Sequence, residues 1–352
     1  MSKKILVTGV LGQDGANMCE YLLGDSNNNK VFGMIRRVSN PNFVNCKNFL
    51  DHHNFQLVYG DLVDEYSLSK LVQDIQPDYF INFAANSFVG CSWDMPMQVF
   101  DTNSVGVMRC LEAIRAYKPN CRFYSAGSSE EFGDVDYSPQ DMKHPLKPRS
   151  PYGASKCAAR HLVKVYRESY DMYAVHGILF NHEGTKRGEE FVTRKITKGV
   201  ARIKKELSGD INTEAPTPIK LGNIYSRRDW SDSEDFVKGI WLMINQEHPK
   251  DYLLASGETH TIKEFIELAF KAADIDGYWH GEGLDETFIY KGDTHGHSLV
   301  AINEKFYRPA EVELLLGDPT EAKEELGWKP EIMFDKLVER MVKFDLDAIQ
   351  EK

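Results

Sequence analysis

Short runs of consecutive apolar residues alternate, through the first 180 positions, with stretches of helical periodicity. Ile5-Leu6-Val7-Thr8, Val31-Phe32-Gly33-Met34-Ile35, Phe55 to Tyr59, Tyr79 to Phe83, Arg122-Phe123-Tyr124 and Ala174 to Phe180 read as buried strands. Helical patterns fall between them: up to Leu23, from Asp64, from Met97 to Tyr117, and from Tyr152 to about Tyr170, the last with Ala158, Leu162 and Val165 as its apolar face. Strands that are apolar on both faces and separated by helices predict a parallel sheet covered on both sides. Beyond residue 180 the pattern is less regular. Lys204 to Pro218 reads as an exposed loop, Asp232 to Asn245 as a helix, and Tyr252 to Ala255 as a strand. Thr261 opens a helix with Glu264 in a capping box, Gly277 to Ser298 reads as irregular, and Asp335 to Ile349 as an amphipathic helix. The fold class expected is α/β: a Rossmann-like doubly wound parallel sheet with a smaller C-terminal α/β substrate domain. The division expected is a nucleotide-binding unit over 1–180 with a return segment at about 224–248, and a second unit from 181–223 and 249–352.

The first strand is followed by Gly9-Val10-Leu11-Gly12-Gln13-Asp14-Gly15 and then a helix. Strand, glycine turn and helix in that order form a dinucleotide-binding arrangement. The glycines let the backbone approach a pyrophosphate, and the helix N-terminus offers free N–H groups. The second strand ends in Arg36-Arg37 where a carboxylate would bind the ribose of NAD. Arginine there suits a 2′-phosphate, so NADP is the cofactor expected over NAD, two solvated arginines being the alternative. Asp61-Leu62 follows the third strand; Asp61 is either an adenine contact or the N-cap of the next helix. Phe83-Ala84-Ala85 and Ser87 follow the fourth strand, with small residues that let a cofactor lie close.

Ser125 to Lys156 carries the candidate chemistry. Ser150-Pro151 is a helix start, and on that helix Tyr152 and Lys156 are four apart and share a face. An ammonium beside a phenol favours the phenolate, which makes the tyrosine a usable base.

Composition narrows the classes. The chain has 352 residues and a formal net charge of −11, which argues against a nonspecific nucleic-acid or membrane-surface binder. A local basic pocket for a phosphorylated small molecule remains compatible with that charge. Six cysteines, none in a C-x-x-C, read as reduced thiols packed as small hydrophobes. With no secretory h-region and no long apolar run, a cytoplasmic enzyme is expected. His295-Gly296-His297 reads as solvated loop, and no metal site is expected.

With the glycine turn and Tyr152/Lys156 in place, the chain resembles the extended short-chain dehydrogenase/reductase family, and within it the GDP-mannose 4,6-dehydratases. The resemblance runs over nearly the whole chain: Arg149-Ser150-Pro151-Tyr152-Gly153, Gly177 to Glu183, Phe191 to Ile196, Leu221-Gly222-Asn223, Arg228-Asp229-Trp230, Tyr307 to Val312 and Leu316 to Thr320. It implies a lyase that converts GDP-mannose to GDP-4-keto-6-deoxymannose by C4 oxidation, loss of water across C5–C6 and return of hydride to C6. Tyr152 and Lys156 would serve the oxidation, Ser128 and Glu130 the elimination. Arg187 would meet the cofactor, and His182 a cofactor or packing contact. Ser87, Asn181, Val192, Lys195, Gly222, Arg228, Arg308 and Glu311 would meet the nucleotide sugar. Homodimers or homotetramers are implied as well. Phe132 stands where the family has tyrosine and Gly127 where it has serine. Glu131 is a second acid at an unusual place, expected to point to solvent. With further departures at Gly184-Thr185-Lys186 and Ser231 to Glu234, it keeps open a dehydratase for another GDP-sugar such as a GDP-manno-heptose; a non-catalytic sugar-nucleotide-binding relative is the third reading, disfavoured by the presence of Ser128, Glu130, Tyr152 and Lys156.

Overall fold

The computed structural model describes residues 2–24, 28–211, 213–292, 294–307, 312 and 314–350. In chain order the first half runs β1 (Lys4–Thr8), α1 (Gln13–Gly24), β2 (Lys30–Ile35), β3 (Phe55–Tyr59), α2 (Glu65–Ile75), β4 (Tyr79–Asn82), α3 (Pro96–Phe100), α4 (Gly106–Tyr117), β5 (Arg122–Ala126), α5 (Pro151–Tyr170) and β6 (Ala174–Leu179). It continues β7 (Asn181–Glu183), α6 (Val192–Ser208), β8 (Ile219–Leu221), β9 (Arg227–Arg228), β10 (Trp230–Asp232), α7 (Ser233–Ile244), β11 (Tyr252–Leu254), β12 (His260–Thr261), α8 (Ile262–Ala272), β13 (Gly277–His280), β14 (Thr287–Tyr290), β15 (Ser298–Ile302), α9 (Thr320–Leu326) and α10 (Phe334–Gln350).

The large sheet has seven strands in the order β11-β6-β5-β4-β1-β2-β3, all paired in parallel. Two cores sandwich it. Ile5, Val7, Ile81 and Tyr124 join α1 and α7 on one side. Leu6, Phe80 and Phe123 join α2, α4 and α5 on the other. The alternation of neighbouring strand residues between these two cores is the period of two that a doubly covered strand requires. Each fully buried Ile or Phe contributes about 1.5–3 kcal/mol, so the central strands anchor the fold. The order reverses between β1 and β4, which opens a crevice at the strand ends where such sheets bind ligands.

A second core gathers α6, α8 and α10 against a four-stranded sheet in the order β13-β14-β15-β8. Two of its strands lie in the stretch read from sequence as irregular. Gly281 and Gly283, both at positive φ, make the turn between β13 and β14, and Phe288 packs on Phe270. The expected loop over 204–218 also begins late, because α6 continues to Ser208 and ends in a left-handed Gly209. Two other helices differ in detail. The span from Pro96 to Tyr117 is helical but contains a π turn over Asp101–Val105. The buried face of α5 is Tyr152, Lys156, Ala159, Val163 and Tyr166, while Val165 is exposed. The helix turns its tyrosine–lysine stripe toward the sheet rather than its aliphatic one.

Candidate active site

Three glycines shape the first cavity. Gly9 has φ +69, and a Cβ there would lie 2.8 Å from the Ala84 nitrogen. A Cβ on Gly15 would lie 2.4 Å from the Gly9 carbonyl oxygen, and Gly12 N–H donates to that same oxygen at 2.9 Å. Thr8 ties the neighbouring strand end, donating to Asn82 Oδ1 at 2.6 Å and accepting from Ala84 N–H at 3.0 Å. The resulting cavity, about 1380 Å³, is floored by Gly9 through Gly15 and the N-terminus of α1. Arg36, Asp61 and Leu62 stand at one end, and Phe83, Ala84, Ala85, Ser87 and Arg187 close the other. This is a cradle for a dinucleotide: side chains are excluded where a pyrophosphate would lie, and the helix dipole points at it. Arg37 does not face the cavity; its guanidinium donates to Val38 O at 2.6 Å. Asp61 accepts from Val63 N–H at 3.2 Å, and the N-cap of α2 is Asp64, so Asp61 is left at the cavity wall.

A second cavity of about 770 Å³ adjoins the first, sharing Asp14, Phe83, Ala85, Ser87 and Arg187 with it. Ser128, Glu130, Tyr152 and Lys156 line it on one side. Ser150 caps α5 by accepting Gly153 N–H at 3.0 Å, which sets Tyr152 in the first turn facing the cavity. The Tyr152 hydroxyl faces Ser128, whose side chain favours its ionised form. Burial pushes the Tyr152 hydroxyl well above its ordinary range; the Ser128 contact opposes this, and Glu130 and Glu131 add to it. Lys156 is brought down to about 8 by burial, against the pull of Glu131 and Asp14. Its ammonium donates to Ala126 O at 2.7 Å and lies 5.7 Å from the Tyr152 ring centre. Burial is the largest influence on the tyrosine's acidity, and the Lys156 ammonium lies on the same face of α5 as the sequence spacing expects.

Asn181, Val192, Lys195, Gly222 and Arg228 line the far side. Asn181 Oδ1 is buried, and a Cβ on Gly222 would lie 2.4 Å from Phe306 O. Lys195 sits 3.6 Å from the Phe306 ring centre, and Arg187 3.6 Å from that of Phe191. Cations stacked on aromatic rings lose few hydrogen-bond donors and keep them for a phosphate. His182 bonds Asp14 at 3.1 Å and Phe180 O at 2.7 Å and stacks on Phe236, so it locks the glycine turn to the end of β6. Burial works against its charged form, yet Asp14 raises its pKa above the ordinary value. Arg308 and Glu311 lie outside the described residues.

Three features escaped the sequence reading. Glu131 does not point to solvent: it is fully buried, 3.0 Å from His176 Nε2, and it accepts Ser128 N–H at 2.8 Å. Asn103, carried inward by the π turn, donates to Asn86 O and to Ser155 Oγ, both at 3.1 Å, so it joins the cavity loop to α5. Asp229, where an ion pair with Arg228 is the plain alternative, instead accepts N–H bonds from Ser256, Gly257 and Gly317. Burial pushes Asp229 up to about 6 despite those donors. The departures at Lys186 and Asp232 are also explained locally. Lys186 bonds Asn17 and Glu20, and Asp232 and Glu234 pair with Arg340. Residues 209–218, as far as they are described, line neither cavity. Among the described residues no helix is long and apolar enough to cross a membrane.

Known proteins resemble this chain over nearly its whole length. The family model described as GDP-mannose 4,6 dehydratase matches residues 6–341. The chain is 41% identical over 357 residues to a GDP-mannose 4,6 dehydratase of Drosophila melanogaster, covering 99% of this chain and 87% of that one. It is 40% identical over 365 residues to a GDP-mannose 4,6-dehydratase of Vibrio cholerae, covering 99% and 95%. Among solved structures, DesIV, a dTDP-glucose 4,6-dehydratase from Streptomyces venezuelae with NAD and TYD bound, superposes with a TM-score of 0.81. That pair is 20% identical over 99% of this chain and 98% of the other, a likeness of fold.

Proposed function

The chain belongs to the GDP-mannose 4,6-dehydratase family, and from that footing we propose that it converts GDP-mannose to GDP-4-keto-6-deoxymannose with NADP as its resident cofactor. The observation that carries the proposal is the meeting of two pairs in one cavity. Tyr152/Lys156 and Ser128/Glu130 face the same 770 Å³ space beside a glycine-cradled one.

The residues fit a nicotinamide dinucleotide: no Cβ can stand at Gly9 or Gly15, and Arg36 is the guanidinium at the end where an adenine ribose would lie. When bound, the nicotinamide supplies a hydride acceptor at C4 and a donor at C6. The protein's part is proton handling. Tyr152 takes the O4 proton, with Ser128 beside it favouring the phenolate. Lys156, still mostly charged at neutral pH with its value of about 8, would hold the cofactor ribose beside it. A ketone at C4 acidifies the C5–H, and Glu130 is the carboxylate placed to take that proton. Glu130 and Ser128 then assist the C6 hydroxyl as it leaves as water, and Tyr152 returns a proton to C5. Lys195, Arg187 and Arg228 are the lining cations that would meet a nucleoside diphosphate, in a cavity that also holds Asp14, Glu183 and Glu190.

The sequence departures that suggested a different GDP-sugar lie outside the sugar cavity at Lys186 and Asp232, which weighs for GDP-mannose. Purified protein incubated with GDP-mannose and no added reductant is expected to accumulate the 4-keto-6-deoxy nucleotide sugar. Turnover of GDP-manno-heptose with GDP-mannose left untouched would overturn the substrate. Cofactor choice has its own test. Arg36→Ala is expected to weaken NADP binding ~10–100-fold, the loss of a charge-assisted bond, and to leave NAD nearly unchanged. Equal weakening of both, measured by titration, would remove Arg36 as the reader of a 2′-phosphate.

A further inference from the structure

Gly127, Glu131 and His176 form one buried unit behind the catalytic turn, and none of them enters the chemistry above. Glu131 and His176 are both 0% exposed. One carboxylate oxygen, Glu131 Oε1, meets both His176 Nε2 at 3.0 Å and the Ser128 backbone N–H at 2.8 Å. The turn is closed from its other end as well, since Ser128 Oγ accepts Glu130 N–H at 3.3 Å. A Cβ on Gly127 would lie 2.3 Å from His176 Nε2 and 2.7 Å from Glu131 Oε1. The glycine is therefore what makes room for the pair, and the three residue types depend on one another.

Burying a carboxylate costs several kcal/mol unless it is paired and hydrogen-bonded, and an apolar side chain would fill this space without that cost. Burial does push the Glu131 carboxyl up, but His176, the Ser128 N–H and Arg160 outweigh it and keep the acid below its ordinary range. What the pair secures is direction. The opposite side of the same turn rests on α5: a Cβ on Gly153 would lie 2.6 Å from Glu130 O, and Cys157 Sγ donates to Glu131 O at 3.5 Å. The turn is thus gripped by α5 on one side and, through Glu131, by β6 on the other.

We propose that Glu131, held by His176, is a positioning residue for the elimination half of the reaction, fixing the Ser128–Glu130 turn so that both side chains face C5 and C6 of the sugar. The proposal rests on the dehydratase reading above. It predicts an asymmetry between the two half-reactions. Tyr152 and Lys156 sit on α5 and keep their places without Glu131, whereas Ser128 and Glu130 sit on the turn itself.

Three variants test it, each read by two signals from the NADP-loaded protein with GDP-mannose. C4 oxidation is followed by the near-ultraviolet absorbance of reduced nicotinamide in a single turnover, and dehydration by product. Glu131→Met removes the acceptor shared by Ser128 and His176. Dehydration is expected to slow ~10–100-fold, the worth of a hydrogen bond to a charged group, and C4 oxidation to change less and only through the lost Glu131 charge that acts on Tyr152 and Lys156, a change that Glu131→Gln shares. Glu131→Gln keeps an acceptor oxygen at the same place and is expected to stay within a few-fold of wild type. Glu131→Met combined with His176→Leu makes both partners apolar, which is expected to recover the melting temperature lost in Glu131→Met while dehydration stays slow. Dehydration at the wild-type rate in Glu131→Met, or its recovery together with stability in the double variant, would overturn the positioning role. A wild-type protein inert toward GDP-mannose would instead overturn the dehydratase reading, and the proposal with it.

Discussion

Glu130→Gln is expected to leave C4 oxidation in place and to abolish dehydration. The substitution is nearly isosteric, and the backbone that carries it is held independently of the side chain. Glu130 N–H donates to Ser128 Oγ, and its carbonyl is packed over Gly153. The amide can still accept and donate hydrogen bonds in the cavity, but it cannot take the C5 proton. Loss of a positioned general base lowers a rate by about 10²–10⁴. Product formation should fall by that order while GDP-mannose still produces an absorbance change from the nicotinamide. Exchange of the C5 proton with deuterated solvent should be lost as well. Elimination at the wild-type rate in this variant would remove Glu130 as the C5 base.

Tyr152→Phe is expected to stop the reaction earlier, before the ketone exists. The ring remains to fill its largely buried site, and only the hydroxyl that faces Ser128 is removed. The stability change is therefore about 1 kcal/mol, a single net hydrogen bond, whereas turnover should fall by about 10²–10⁴ through loss of the O4 base. Unlike Glu130→Gln, this variant should give no nicotinamide absorbance change with GDP-mannose. The contrast between the two variants separates the oxidation pair from the elimination pair. If Tyr152→Phe oxidised C4 normally, the tyrosine would be no more than a wall of the cavity.

The strands and the glycine turn were readable because their signals are local. A run such as Ile5-Leu6-Val7 is apolar on both faces, and Gly9 and Gly15 are required by backbone contacts within the same turn. Helix starts were readable for the same reason: Ser150 and Thr261 cap their helices as their neighbours suggest. What was not readable depends on distant partners. Glu131 looks like a solvent-facing acid until His176, 45 positions on, is seen against it. Asn103 acquires its contacts only because a π turn shifts the helix register, and no local pattern marks that insertion. The same holds for α5, whose aliphatic stripe is the better apolar face by composition but is left partly exposed. Its tyrosine–lysine stripe is drawn inward by the cavity and by Ala126 O. The β13–β14 hairpin was hidden by interspersed polar residues and glycines, and its Phe288 finds a partner, Phe270, in the distant α8. Electrostatics was readable only in part, on similar grounds. Spacing placed Lys156 near Tyr152, where it is found, but burial of the phenol and the charges of Glu130 and Glu131, which raise its pKa, depend on the folded surroundings.

The central claim is that one cavity performs an internal oxidation, elimination and reduction on a single sugar. GDP-mannose carrying deuterium at C4, incubated with the protein and unlabelled NADP, tests it most directly. A 4-keto-6-deoxy product with the deuterium at C6 is expected, because the hydride removed at C4 never leaves the site. A product with only solvent- or cofactor-derived hydrogen at C6, or a C4 epimer with no loss of water, would contradict it.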